Sequence, residues 1–172
     1  MKIKSISIGG FKNLKQTRIE VDRITALVSP NNYGKSNFLQ GIDFALTFLS
    51  AGEKSRKKMT SWKKGIPLNP NSADDPFFFE VEFHEPSLGE YQYVRYGFSF
   101  IWMRDDASGQ RITDEWLEMR ESESVKYTRY LKRNEGHYRK AKSTNAFRNI
   151  TLGDYQLAVD TLSSIDDIAY TL

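Results

Sequence analysis

Cysteine is absent from this 172-residue chain, which excludes disulfides and thiolate metal sites. Histidine is scarce, with only His84 and His137, so a histidine-rich metal centre is not expected and any metal is expected to be held by oxygen. No apolar run approaches the roughly eighteen residues that would span a bilayer. The amino terminus, MKIKSISIGG, lacks the continuous apolar stretch of a signal peptide. The expected address is therefore cytoplasmic, with no membrane partner. Internal repeats and low-complexity segments are also missing. What is present is 39% apolar, 13% aromatic and 27% charged residues, a profile that supports one soluble domain with a core of its own.

The formal charge of +3 is a weak signal, but its distribution is uneven. Residues 54–64, KSRKKMTSWKK, carry six Lys or Arg and no acid, and residues 126–142 carry seven basic residues against Glu135 alone. From Asp154 onward there are four Asp and no base. Each basic patch reads either as a solvated face or as a contact to nucleic acid or a protein partner.

Ile3, Ile6 and Ile8 alternate as in an edge-type strand, broken by Gly9-Gly10, and QTRIEV supplies a second short strand. Ile24–Val28, ITALV, is an almost unbroken apolar run and predicts a buried strand. Turn residues follow, and then Phe38, Leu39, Ile42, Ala45, Leu46 and Leu49 recur at helical spacing over about 35–49. Phe44 and Phe48 add a second apolar face, predicting a helix packed on both sides, as between sheets. Residues 51–76 show no period and predict a long, basic, mobile surface loop. Strands return in FFFEVEF, YQYVRYGFSFIWM, ITDEWLEMR, VKYTRYL and GHYRK, separated by connections short enough for antiparallel hairpins. The expected fold is mixed α/β within a single 1–172 unit. It comprises a strand-loop-helix core over 1–50, the 51–76 loop, an antiparallel β-meander over 77–142 and a helical tail over 143–172.

The stretch ALVSPNNYGKSN, residues 26–37, ends in Gly34-Lys35-Ser36, the tail of the phosphate-binding pattern G-x-x-x-x-G-K-[ST]. Such a loop turns consecutive backbone N–H groups toward phosphate oxygens at the positive end of the following helix. Lys35 is then expected to reach the terminal phosphates, and the Ser36 hydroxyl to help hold Mg2+. The first glycine of the pattern is replaced by Ser29. That exchange costs about 1–3 kcal/mol if the position demands a strained dihedral and little otherwise, so it weakens the site without removing its ligands. The alternative reading is a helix N-terminus with Lys35 merely solvated.

Gly10-Phe11-Lys12-Asn13 followed by Asn31-Asn32-Tyr33-Gly34-Lys35-Ser36-Asn37 resembles the amino-terminal lobe (lobe I) of ABC-type ATPases related to RecF, SMC proteins and OLD-family nucleases, including the AAA-type ATPases of bacterial phage defence. The later FEVEF, YVRYGFSF and ITDEWLEMR resemble the antiparallel subdomain of the defence-type members less specifically. The resemblance implies ATP and Mg2+ as cofactors, with Lys12 and Asn13 near the base, sugar or α-phosphate, although a simple turn between strands explains those two residues equally well. It further implies a homodimer or larger assembly through the ATPase head, a nuclease or toxin effector and DNA contact through the basic loops.

It also implies parts that these residues do not supply: a bridging glutamine, an L-S-x-G-[EQ] signature and an apolar strand ending in Asp-Glu. Leu49-Ser50-Ala51-Gly52-Glu53 fits the signature's letters but lies thirteen residues after Ser36, where Gly52 reads as a helix C-cap. Leu157-Ala158-Val159-Asp160 continues into Thr161, and Gln156 is a weak candidate for the glutamine. The expectation is an ATP-binding half that is incomplete for hydrolysis alone, its carboxy-terminal half being absent. The alternatives are a non-catalytic nucleotide-binding scaffold module, which Ser29 favours, and a P-loop kinase or GTPase complete in itself, which needs acceptor-site acids and a lid arginine after the helix.

Overall fold

The computed structural model describes residues 1–28, 30, 33–61, 75–103, 111–134, 137–140 and 150–162. Among these residues eight strands form a single antiparallel sheet: β1 (Lys2–Phe11), β2 (Leu14–Glu20), β3 (Phe77–His84), β4 (Tyr93–Phe100), β5 (Ile112–Arg120), β6 (Thr128–Asn134), β7 (His137–Lys140) and β8 (Ile150–Thr151). Their order is β2-β1-β3-β4-β5-β6-β7-β8. The expected meander is present, and β1 and β2 join the same sheet rather than a separate layer. β1 is not an edge strand, because it pairs Ile6 with Ile19 on one side and with Val81 on the other.

Helix α1 (Lys35–Ser50) lies across the apolar face of the sheet. Its buried stripe is Phe38, Gly41, Ala45 and Phe48, at steps of three and four that keep one face inward. A Cβ on Gly41 would lie 3.1 Å from Ile8 Cδ1, so glycine there lets α1 settle close onto β1. Phe48 stacks on Phe98 and Phe100 at 5.2 and 4.9 Å, and Phe44 packs edge-on to Phe77 at 5.1 Å. Full burial of an aromatic such as Phe48 contributes about 2–3 kcal/mol. The helix is not packed on both sides: Leu39 and Leu46 are more than half exposed.

Four further expectations are corrected. ITALV forms no strand; Ile24 and Val28 are 89% and 90% exposed, because a strand needs a ladder partner and among the described residues none lies beside it. The expected 51–76 loop contains a helix, α2 (Glu53–Met59), while residues 62–74 lie outside the described residues. Gly52 is the N-cap of α2, with φ −77°, and not a left-handed C-cap of α1; α1 ends at Ala51, whose N–H donates to Phe48 O. In the tail, β8 precedes helix α3 (Ala158–Leu162), and residues 163–172 lie outside the described residues.

The opposite face of the sheet carries interleaved charges. Glu82 of β3 accepts from Tyr127 Oη at 2.6 Å, Arg120 Nη2 at 3.1 Å and Arg18 Nη2 at 3.4 Å, while Arg95 and Arg120 lie over the Tyr127 ring at 4.1 and 4.4 Å. Burial alone would raise the Glu82 carboxyl. The Tyr127 hydrogen bond and the guanidiniums of Arg95 and Arg120 more than offset it and hold the group below its ordinary value near 4.5. A carboxyl lowered by folding adds stability that is present above that ordinary value and is lost as pH falls toward the folded value. Glu82→Gln is therefore expected to flatten the acid-side loss of stability, read as a smaller difference between urea midpoints at pH 7 and below pH 4. A variant that loses as much stability on acidification as the parent contradicts the assignment.

Candidate functional site

The β1–β2 turn and the start of α1 meet at one end of the sheet. Gly10 and Lys12 both take positive φ, 61° and 53°, which folds Phe11–Leu14 into the turn. Gly34, at φ +94°, redirects the chain into α1, and its carbonyl accepts the helix's first backbone bond from Phe38 N–H at 2.8 Å. No side chain caps the helix and its first turn carries no acid, so its N-terminal N–H groups and dipole face no fixed negative charge from that turn. Lys35 folds back so that Nζ donates to Pro30 O at 3.0 Å. Asn37 Nδ2 donates to Asn13 Oδ1 at 2.8 Å, and the Lys12 ammonium contacts Gln40 Oε1.

Of the expected site residues, Lys12, Asn13, Gly34, Lys35 and Asn37 are thus brought together. Tyr33 and Ser36 are exposed beside them, Tyr33 at 74%. Asn31, Asn32 and the substituted Ser29 lie outside the described residues. Gln40 was not anticipated. The signal for it is that 37 and 40 are three apart and share a helix face, so Asn37 and Gln40 meet the consecutive residues Asn13 and Lys12. A cavity of about 160 Å³ lies alongside, lined by Leu14, Ile19, Leu27 and Phe38 together with Gly34 and Lys35. A larger apolar cavity of about 410 Å³, between Ile42 and Leu46 of α1 and Ile6 and Phe79 of the sheet, does not include the loop residues.

Gly34 is constrained twice: a Cβ there would meet both Asn13 Oδ1 and Leu14 Cδ2 at 3.1 Å, in a backbone conformation that L side chains avoid. Gly34→Ala is expected to cost roughly 1–2 kcal/mol and to lower nucleotide affinity about tenfold by displacing the first turn of α1 from Asn13. Titration of the folded variant with wild-type affinity contradicts this.

The donor set fits a triphosphate: a left-handed glycine, a lysine and a helix N-terminus without an acid in its first turn. For a metal it offers the Ser36 hydroxyl, and among the described residues no group of three or more acidic or imidazole side chains could hold a cation. That suits Mg2+ held chiefly by phosphate oxygens and water. Gln156 is engaged locally, its Oε1 accepting from Gly153 N–H at 3.1 Å and its Nε2 donating to Thr161 Oγ1 at 3.3 Å. Leu49–Glu53 spans the junction of α1 and α2.

Residues 1–153 match the AAA ATPase domain family. The chain belongs to that family. The chromosome partition protein Smc of Bacillus subtilis (strain 168) is 30% identical to this AAA ATPase domain over 105 residues, covering 51% of this chain and 8% of Smc. The chain therefore spans a small part of that relative. A structure solved in work on ATP-driven dimerization and DNA-stimulated activation of SMC ATPases aligns with a TM-score of 0.43 at 18% identity, over 71% of this chain and 72% of the other. The resemblance to SMC-like ABC-type ATPases, read from Gly10–Asn13 and the loop, is borne out by the family match and by the Smc relative, and so is the mixed α/β fold class. Among the described residues no helix of this AAA ATPase domain is long and apolar enough to cross a membrane.

Proposed function

We propose that this AAA ATPase domain is the Mg-ATP-binding lobe of a two-part ATPase. Its site residues are Lys12, Asn13, Asn31, Asn32, Tyr33, Gly34, Lys35, Ser36 and Asn37, and it does not complete hydrolysis by itself. The observation that carries the reading is the left-handed Gly34 opening α1 beside Lys35, braced by Asn13 from the β1–β2 turn. Lys35 and the N-terminal N–H groups of α1 bind and orient the terminal phosphates, and the Ser36 hydroxyl contributes one oxygen to the cation that the phosphates carry. When bound, Mg2+ supplies neutralisation of phosphate charge. Titration of the chain with ATP is expected to saturate, and to do so at lower ATP when Mg2+ is present. A folded chain that shows no saturable binding overturns the reading.

Incompleteness is supported by ITALV, an apolar run of strand composition whose Ile24 and Val28 are exposed between β2 and α1, and by the exposed Leu39 and Leu46 of α1. A complementary part bearing the signature and an Asp-Glu strand would cover such surface. Ile24→Ser/Val28→Ser is expected to leave the stability of the lobe within about 0.5 kcal/mol, since both side chains are exposed, yet to abolish assembly with that part. Wild-type assembly by the double variant, measured by sedimentation, contradicts the proposal.

The proposed setting is DNA repair or phage defence in the cytoplasm. The assembly is a homodimer or larger one through the ATPase head, with a nuclease or toxin effector. DNA contact would run through the basic segments, where α2 exposes Lys54, Lys57 and Lys58.

A further inference from the structure

Three charged side chains with almost no solvent exposure, Arg56, Glu115 and Arg133, converge on residues 152–162, and ATP binding accounts for none of them. Glu115 of β5 accepts from Ala158 and Val159 N–H at 2.5 and 3.0 Å and from Tyr96 Oη at 2.9 Å. Arg133 of β6 donates to the carbonyls of Gly153, at 3.1 Å, and Gln156. These two hold the segment to the sheet. Arg56 of α2 does something different. Its Nε donates to Phe48 O at 2.9 Å and its Nη2 to Leu49 O at 2.8 Å, so the guanidinium caps the last carbonyls of α1, while the same group grips Asp160 of α3, Nη2 to Oδ1 at 3.1 Å, and Tyr155 O at 3.3 Å.

We infer that Arg56 and Asp160 form a clasp that links nucleotide occupancy at the start of α1 to docking of the 152–162 segment. The inference rests on the ATP-binding reading. α1 is about 24 Å long and its hydrogen-bonded backbone moves as a rod. Phosphate engages its first N–H groups and Arg56 engages its last carbonyls, so a small axial or tilting adjustment at one end is delivered to the other. The capping charge also opposes the negative end of the dipole. Asp160 fixes the guanidinium in the orientation that reaches Phe48 O and Leu49 O, which makes Asp160 a positioning residue for a site at the opposite end of the helix. Because linkage is reciprocal, a docked α3 favours the nucleotide-bound placement of α1 by the same factor as nucleotide favours docking.

Amide exchange over residues 157–161, with and without Mg-ATP, tests this alongside ATP titrations of the wild type, Asp160→Asn and Asp160→Glu. Mg-ATP is expected to slow wild-type exchange in the segment at least about threefold. Asp160→Asn is expected to lose that slowing and to bind ATP about threefold more weakly, and Asp160→Glu to recover part of both. A purely structural role would change exchange equally with and without nucleotide. The inference is overturned, with ATP binding intact, if the wild type saturates with Mg-ATP while exchange in 157–161 stays unchanged, or if Asp160→Asn loosens the segment at unchanged affinity. The wild-type measurement decides even if the variants fail to fold. Failure of the wild type to bind ATP instead removes the reading beneath it.

Discussion

Lys35→Ala is expected to weaken ATP binding by at least tenfold, about 1.4 kcal/mol, while leaving the fold intact. Lys35 is the first residue of α1, and its ammonium donates to Pro30 O at 3.0 Å. Exchanging that carbonyl for a phosphate oxygen replaces a neutral acceptor with a charged one, and charge-assisted hydrogen bonds are about twice as strong. The helix N-terminus adds partial positive charge but no full cation. Lys12, another ammonium of the site, contacts Gln40 further along the helix. Stability should change little, because the Lys35 side chain belongs to no part of the aromatic core. Unchanged affinity in a folded Lys35→Ala protein would refute its placement on the terminal phosphates.

The second large effect is catalytic: these 172 residues are expected to bind Mg-ATP without turning it over above background. Hydrolysis requires a base or water-positioning group and charge that stabilises the transferring phosphoryl, which together account for many orders of magnitude in rate. The loop supplies binding and part of that charge. The sequence contains no apolar strand ending in Asp-Glu, and Leu49–Glu53, the one match to the signature's letters, is spent on ending α1 and starting α2. Glu115 is fully buried and occupied by Ala158, Val159 and Tyr96, so it is no candidate base. Two such lobes facing each other would still lack both elements, so dimerisation of this lobe alone is not expected to restore turnover.

Strong periodicity made much of this fold readable. Helix α1 was expected over 35–49 and runs Lys35–Ser50, and ITDEWLEMR is β5 from end to end, its last six residues, Glu115–Arg120, alternating between the two faces. α2 was not readable. KSRKKM has one apolar residue and no amphipathic stripe, and what secures the helix is Arg56, whose partner Asp160 is 104 residues away. ITALV misled for the opposite reason: its composition suits a strand, but pairing is a non-local event that composition cannot supply. At the candidate site, the turn Gly10–Asn13 and Gly34–Asn37 were singled out from local motifs, and the structure brings them to one place. Gln40 escaped because its spacing of three from Asn37 marks a shared helix face but does not say which residues of another element lie opposite.

Steady-state phosphate release by purified residues 1–172, with Lys35→Ala as its control, decides whether the lobe hydrolyses ATP by itself. No release above background is expected from the lobe in Mg-ATP at concentrations where titration shows it saturated. Release is predicted to appear once a polypeptide carrying the signature and the Asp-Glu strand is added. Sustained release by the lobe alone that disappears in Lys35→Ala would contradict the account and mark the chain as a P-loop enzyme complete in itself.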